Sequence, residues 1–132
     1  MTIMEAIRAH LLATQAVTDL VGTRVHYNER PQNGGLPALA FRLIGNPKVR
    51  TFGGGNSDWP RVQIDVFAAT SLQAQQLAQV VTSTLDWFGG TLGGVGGVAV
   101  ENIEHIGEVD LSGDPRQPRH IALDFKILHE RA

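Results

Sequence analysis

His10, His26, His105, His120 and His129 are the side chains in this sequence best suited to bind a metal or move a proton. No two of them sit i, i+4 on a helix, and no HExxH or similar ligand spacing occurs. Structural roles are therefore expected for all five. Glu101, Glu104, Glu108, Asp110 and Asp114 form the densest group of carboxylates. Paired acids do acid–base chemistry when burial raises the pKa of one of them. These fall on an expected strand edge and loop, where charges stay solvated. Ser57 and Ser71 lie in no G-x-S-x-G elbow, and the chain has no cysteine, so nucleophilic and thiolate chemistry lack a carrier. Gly93-Gly94-Val95-Gly96-Gly97 superficially suggests a phosphate turn, but that turn needs a strand before it and a helix after it. Here the pattern is helix, then strand, which predicts a flexible connector. Gly53-Gly54-Gly55 lacks the Lys and Ser/Thr of a P-loop. No catalytic, cofactor or metal site is assigned, and an enzyme is not expected.

Residues 45–60 are different in kind. Lys48, Arg50, Phe52, Trp59 and Arg61 place cations and aromatic rings together within a glycine-rich stretch. Trp and Arg are the usual anchors of protein interfaces. The same mixture suits nucleic acid, through phosphate contacts and base stacking. These five residues are the candidate interface, and the stretch is read as one long loop.

The elements that must position them follow from periodicity. Val62, Ile64 and Val66 alternate with Arg61, Gln63 and Asp65, as in a half-buried strand. The spacing then becomes helical at Ala74, Leu77, Ala78, Val81, Leu85 and Phe88, predicting a helix over 71–88. Thr70 is placed to cap it, with Gln73 at the capping-box position. Ile3, Ile7 and Leu11 predict a first amphipathic helix, and 14–21 a short second turn stopping at Gly22. Short or alternating strands are expected at 24–27, 38–43, 98–106 and 120–129, with a turn-rich loop at 110–118. The order predicts an α+β domain: a mostly antiparallel sheet with two main helices packed on one face.

Composition sets the outer bounds. The 132 residues suit one domain, 1–132, and a hydrophobic fraction of 42% suffices for a core. A net charge of -2 gives no general drive onto nucleic acid or anionic membrane. No segment approaches the roughly 20 apolar residues of a membrane span. The first 20 or so residues lack the apolar core of a secretory signal and read as the first helix of the mature domain.

With that order in place, the chain resembles the tail completion, or tail terminator, proteins of long-tailed phages and gene transfer agents. The carrying residues are Ile7 to Leu12, then Val17-Thr18-Asp19-Leu20-Val21-Gly22-Thr23-Arg24-Val25-His26, and Leu36-Pro37-Ala38-Leu39. Val62-Gln63-Ile64-Asp65-Val66-Phe67 with its following Gln/Ala-rich helix is similar to the family's centre, and Ile121 to Leu128 to its closing strand. The resemblance implies a structural, ring-forming subunit, commonly a hexamer. Its ring would cap the tail tube at the tail–head junction of a virion or phage-like particle assembled in a bacterial cytoplasm. Its implied partners are copies of itself, the tail tube protein and the head–tail connector. DNA would pass through the ring without sequence-specific binding, and no cofactor or membrane is involved. The alternatives are a nucleic-acid or small-ligand binding module using residues 48–61, and a related head-completion or neck protein.

Overall fold

The computed structural model describes residues 2–31, 34–45, 48–50 and 56–130. Helix α1 (Ile3–Ala13) starts with a reciprocal cap. The Thr2 hydroxyl accepts from the Glu5 N–H, and the Glu5 carboxylate accepts from the Thr2 N–H, both at 3.1 Å. Those bonds hold the exposed Glu5 carboxyl below its ordinary pKa. Helix α2 (Gln15–Val21) stops at Gly22, whose φ of +60° suits a residue without Cβ. Eight strands and a third helix follow. They are β1 (Val25–Tyr27), β2 (Ala38–Gly45), β3 (Lys48–Arg50), β4 (Asn56–Asp58), β5 (Arg61–Ala68), α3 (Ser71–Leu85), β6 (Gly90–Leu92), β7 (Val98–Asp110) and β8 (Arg119–Glu130).

Strand β2 pairs antiparallel with β5, and β3 with β4, so the four form one long interrupted hairpin. Strand β8 lies along its returning side, opposite β5 from Ala68↔Arg119 to Arg61↔Lys126 and opposite β4 at Asp58↔His129 and Ser57↔Glu130. Across the sheet the order is β1, β2 with β3, β5 with β4, β8, β7 and β6. Only the β1–β2 pair is parallel among the described residues. The α+β, mostly antiparallel architecture is as expected, with three helices where two main ones were anticipated.

One face of the sheet and one stripe of each helix make a single core. Leu39, Phe41, Val62, Ile64, Val66, Ile103, Leu123, Phe125 and Ile127 come from the sheet. Ile7 and Leu11 of α1, Val17 and Val21 of α2, and Leu77, Val81 and Leu85 of α3 meet them. The period change at Thr70 is real: the Thr70 hydroxyl accepts from the Gln73 N–H at 3.2 Å. Gln73 closes its side of the box one residue earlier than expected, on the Ala69 N–H at 3.2 Å.

Four local expectations need correction. Residues 45–60 are not one loop, because β3 and β4 extend the β2–β5 hairpin through them. Interruptions at Leu43/Gly45 and at Trp59-Pro60 break the alternation that would have revealed the strands. Helix α3 ends at Leu85, not at Phe88; Asp86 is its cap and Trp87 turns to a φ of +65°. Residues 93–97 are not a flexible connector but the tight turn of the β6–β7 hairpin, closed by Gly97 N–H to Gly94 O at 2.9 Å. A Cβ on Gly97 would sit 2.0 Å from the Leu92 carbonyl oxygen, so only glycine fits there. Strand β7 also runs four residues past its expected end, to Asp110.

Leu77 is fully buried, while Gln75 is exposed on the other side of the same helix. Leu77→Ala should cost about 2–5 kcal/mol in denaturant unfolding, and Gln75→Ala about 0.5 kcal/mol or less. Equal losses at the two positions would place the wrong face of α3 on the sheet.

Candidate assembly interface

The helix-free face of the sheet carries the polar chemistry. Asp65 on β5 is only 5% exposed. Its Oδ1 accepts from Gln63 Nε2 at 2.7 Å and lies 2.8 Å from His120 Nε2 on β8. Burial pushes the Asp65 carboxyl up, but the bonds to His120 and Gln63, with the Arg42 charge nearby, more than reverse this. The group is held below its ordinary 3.8. The His120 ring also stacks on Phe67 at 4.5 Å, and the Arg30 guanidinium lies 5.2 Å from the Phe67 ring. Since Phe67 pairs with His120 and Asp65 with Ala122, the Asp65–His120 contact runs diagonally between β5 and β8. It ties two strands together. Fifty-five residues separate the partners, so no local motif announced them.

The five residues proposed from sequence are placed as follows. Lys48 and Arg50 lie on β3, in register with Asp58 and Asn56. Phe52 lies outside the described residues. Trp59 and Arg61 come together beside β8 and β7, in a shallow groove of about 430 Å³ with Glu104, Ile106 and Lys126. The Lys126 ammonium sits 3.8 Å from the centre of the Trp59 ring, a cation–π contact. Trp59 Nε1 is buried with no acceptor among the described residues, an unusual state for an indole N–H. Arg61 reaches Asp124 at 3.9 Å, but both are well exposed and the pair contributes little.

The acids and histidines singled out from the sequence are spread over several elements. Among the described residues no three His, Cys, Asp or Glu converge as metal ligands. Glu101, Glu104, Glu108 and Asp110 are strung along β7, all exposed, with Asp114 in the following loop. Asp110 is held below its ordinary pKa by Ser112, and Asp114 by Arg116. A general acid needs the opposite shift. Burial lowers the pKa of His10, whose ring packs 4.7 Å from Phe88. Burial and the charges of Arg8, Arg30 and Arg24 lower that of His26. His105 tilts against Phe125 at 5.1 Å.

Exposed apolar side chains show a surface that the sequence reading missed. Trp87 is 78% exposed, just past the end of α3. Its N–H donates to Ile103 O at 2.7 Å, which fixes the unusual positive φ while the indole faces solvent. The signal was present in the spacing: Trp87 falls off the helical stripe that runs through Val81, Leu85 and Phe88. Ile106, Val109 and Leu111 are exposed along and just beyond the outer half of β7, and Leu43 and Ile44 at the end of β2.

A family profile described as Tail completion protein gp17 matches residues 5–130. The chain belongs to that family. It is a structural protein of the phage-type tail. Its fold is similar to that of a chain in a solved structure titled "Virion of native gene transfer agent (GTA) particle". The TM-score is 0.65 and the identity 20%, covering 98% of this chain and 96% of that one. No curated protein matches the sequence. Among the described residues, no helix is long and apolar enough to cross a membrane.

Asp65 gives a pH test. Its folded pKa is depressed, so its contribution is full above the unfolded value and disappears as pH falls through the folded one. Asp65→Asn should therefore cost about 1–3 kcal/mol near pH 7, and that gap should close well below about pH 4. A gap that stays constant down to about pH 2.5 would show that the ionised carboxylate is not what the pair needs.

Proposed function

We propose that residues 1–132 act as one ring-forming domain that terminates the tail tube and joins the tail to the head connector. The family match over residues 5–130 carries this reading. The ring is commonly a hexamer in proteins of this kind, and DNA passes through it without sequence-specific contacts. The protein works by occupying a position, and no substrate is turned over. Its partners are further copies of the chain, the tail tube protein and the connector, within a particle assembled in a bacterial cytoplasm.

Surface chemistry supports the reading. Exposed Trp87, Val109 and Leu111 offer apolar area of the kind that interfaces bury. Lys48, Arg50, Phe52, Trp59 and Arg61 remain the proposed contacts with a neighbour.

Removing the chain from its particle should leave heads intact and filled with DNA while tails fail to join them. Tails of uncontrolled length are also expected. Electron microscopy and infectivity or transfer assays read both outcomes. Normal, functional particles made without the protein would end the proposal. Filled heads carrying no tails, beside tails of regular length, would instead mark a head-completion or neck protein. Complementing with the Phe52→Ala, Trp59→Ala double variant asks whether these two aromatic side chains carry docking contacts. Assembly is expected to fall at least about tenfold, and full assembly would remove these two side chains from the interface.

A further inference from the structure

A sheet edge with unsatisfied N–H and C=O groups is a template for another strand, and folded proteins usually close such edges. This sheet closes some and leaves others. At β1, the Val25 N–H donates to Thr23 O at 2.8 Å, and Val25 O accepts from Arg8 Nε at 3.1 Å. Tyr27 O accepts from the Glu29 N–H at 2.7 Å. That edge is therefore blocked by its own chain. On the far side, β6 covers β7 at 98–100. Trp87 and Phe88 exchange backbone bonds with Ile103, and the Asp86 carboxylate accepts from the His105 N–H at 3.0 Å.

Beyond His105 the cover ends. Leu111 N–H donates to His120 O, so by alternation Val109 and Gly107 bond toward β8 while Glu108 and Asp110 turn their backbone groups outward. Among the described residues no strand pairs with this stretch on that outer side. The second uncovered edge lies on the opposite side of the sheet. Strand β1 stops beside Phe41, leaving the end of β2, and then β3, with no strand on the outer side among the described residues.

The two open edges match in charge. Strand β7 carries Glu101, Glu104, Glu108 and Asp110 and no Lys or Arg. The β2–β3 edge carries Arg42, Lys48 and Arg50 and no acid. The uncovered triplets are Glu108-Val109-Asp110 and Lys48-Val49-Arg50. Each is charge, valine, charge, so parallel and antiparallel pairing both set Val49 against Val109 and cations against carboxylates. Exposed Leu43 and Ile44 flank one edge, Ile106 and Leu111 the other.

We propose that the β3 edge of one copy adds to the β7 edge of the next, continuing the sheet from subunit to subunit. Two different edges on opposite sides make a head-to-tail contact, the kind that closes into a ring. This rests on the ring-forming reading above and names the surfaces that carry it. The like-charged pairings, β3 on β3 and β7 on β7, repel, which selects the head-to-tail arrangement.

Native mass spectrometry of the full chain tests it. The unaltered chain should give a closed multimer. Glu108→Lys with Asp110→Lys should give folded monomer, and so should Lys48→Glu with Arg50→Glu, with circular dichroism checking the fold. Mixing the two variants in equal amounts should restore the multimer, because each altered edge then meets its complement. Val49→Cys with Val109→Cys gives a separate readout in this cysteine-free chain: oxidation should yield a ladder of cross-linked chains without unfolding. A strictly monomeric unaltered chain would overturn the inference. So would multimers formed normally by both reversal variants, or multimers of the cysteine variant that give no cross-link. If the reversal variants still form multimers, or the cysteines give no cross-link, while tails still fail to join heads in the absence of the protein, the ring-forming reading survives and only the edges are wrong; a strictly monomeric chain counts against the ring as well.

Discussion

A strand bonded along both edges has no spare backbone hydrogen-bonding groups, and it fixes the register of whatever lies on either side. Strand β8 holds that position. It pairs with β5 and β4 on one side and β7 on the other, over nearly its whole length. Its inner face supplies Leu123, Phe125 and Ile127 to the core beneath the helices, each essentially fully buried. Its outer face supplies His120 to Asp65, Asp124 to Arg61 and Lys126 to the Trp59 ring. A one-residue slip would exchange these two sets, burying charges under α3 and exposing the aliphatic row. The tie between Asp65 and His120 makes such a slip costlier, because it would take His120 away from a nearly buried carboxylate.

Fixing the centre of the sheet pushes the unpaired hydrogen-bonding groups to its margins, and the margins are treated unequally. Strand β1 is closed by Arg8, Thr23 and Glu29. The middle of β7 is closed by residues just past α3, and the short left-handed step at Trp87 brings that segment alongside. That conformation is costly for a bulky side chain. The backbone bond to Ile103 offsets the cost, and the indole is left facing outward. An exposed tryptophan in that setting is in keeping with the proposed role as an assembly part.

The sequence disclosed elements whose pattern runs through several periods. Strand β8 and the α3 face alternate or repeat long enough to be read, and both are found where expected apart from their ends. Strand β6 was not legible, because Gly90-Thr91-Leu92 is too short and too glycine-rich to carry a period. Strands β3 and β4 were hidden by the turn-forming residues around them, which outweigh three-residue strands in any local reading. The Asp65–His120 contact joins residues far apart in the chain, so only the fold brings it into view. The interface candidates divide along the same line. The cluster of Trp and cations was visible as composition, while its division between an arm (Lys48, Arg50) and a groove (Trp59, Arg61) depends on strand pairing.

Net charge was the least informative quantity in the sequence, and the sheet explains why. A formal charge of -2 on 132 residues suggests an electrostatically bland surface. The fold separates the charges behind that sum, gathering acids along β7 and cations along the end of β2 and β3. Charges spread this way along opposite edges leave the net charge near zero, yet in the proposed pairing would give each edge a preferred partner. Screening by salt weakens such attraction beyond about 8 Å at physiological ionic strength, so it acts when edges are already close. In the proposed edge pairing it would then favour the correct partner, while backbone bonds and the apolar side chains beside the two edges would supply most of the adhesion. A protein whose work is to take one place in a larger structure needs that order of events: weak interaction at a distance, and commitment only on contact.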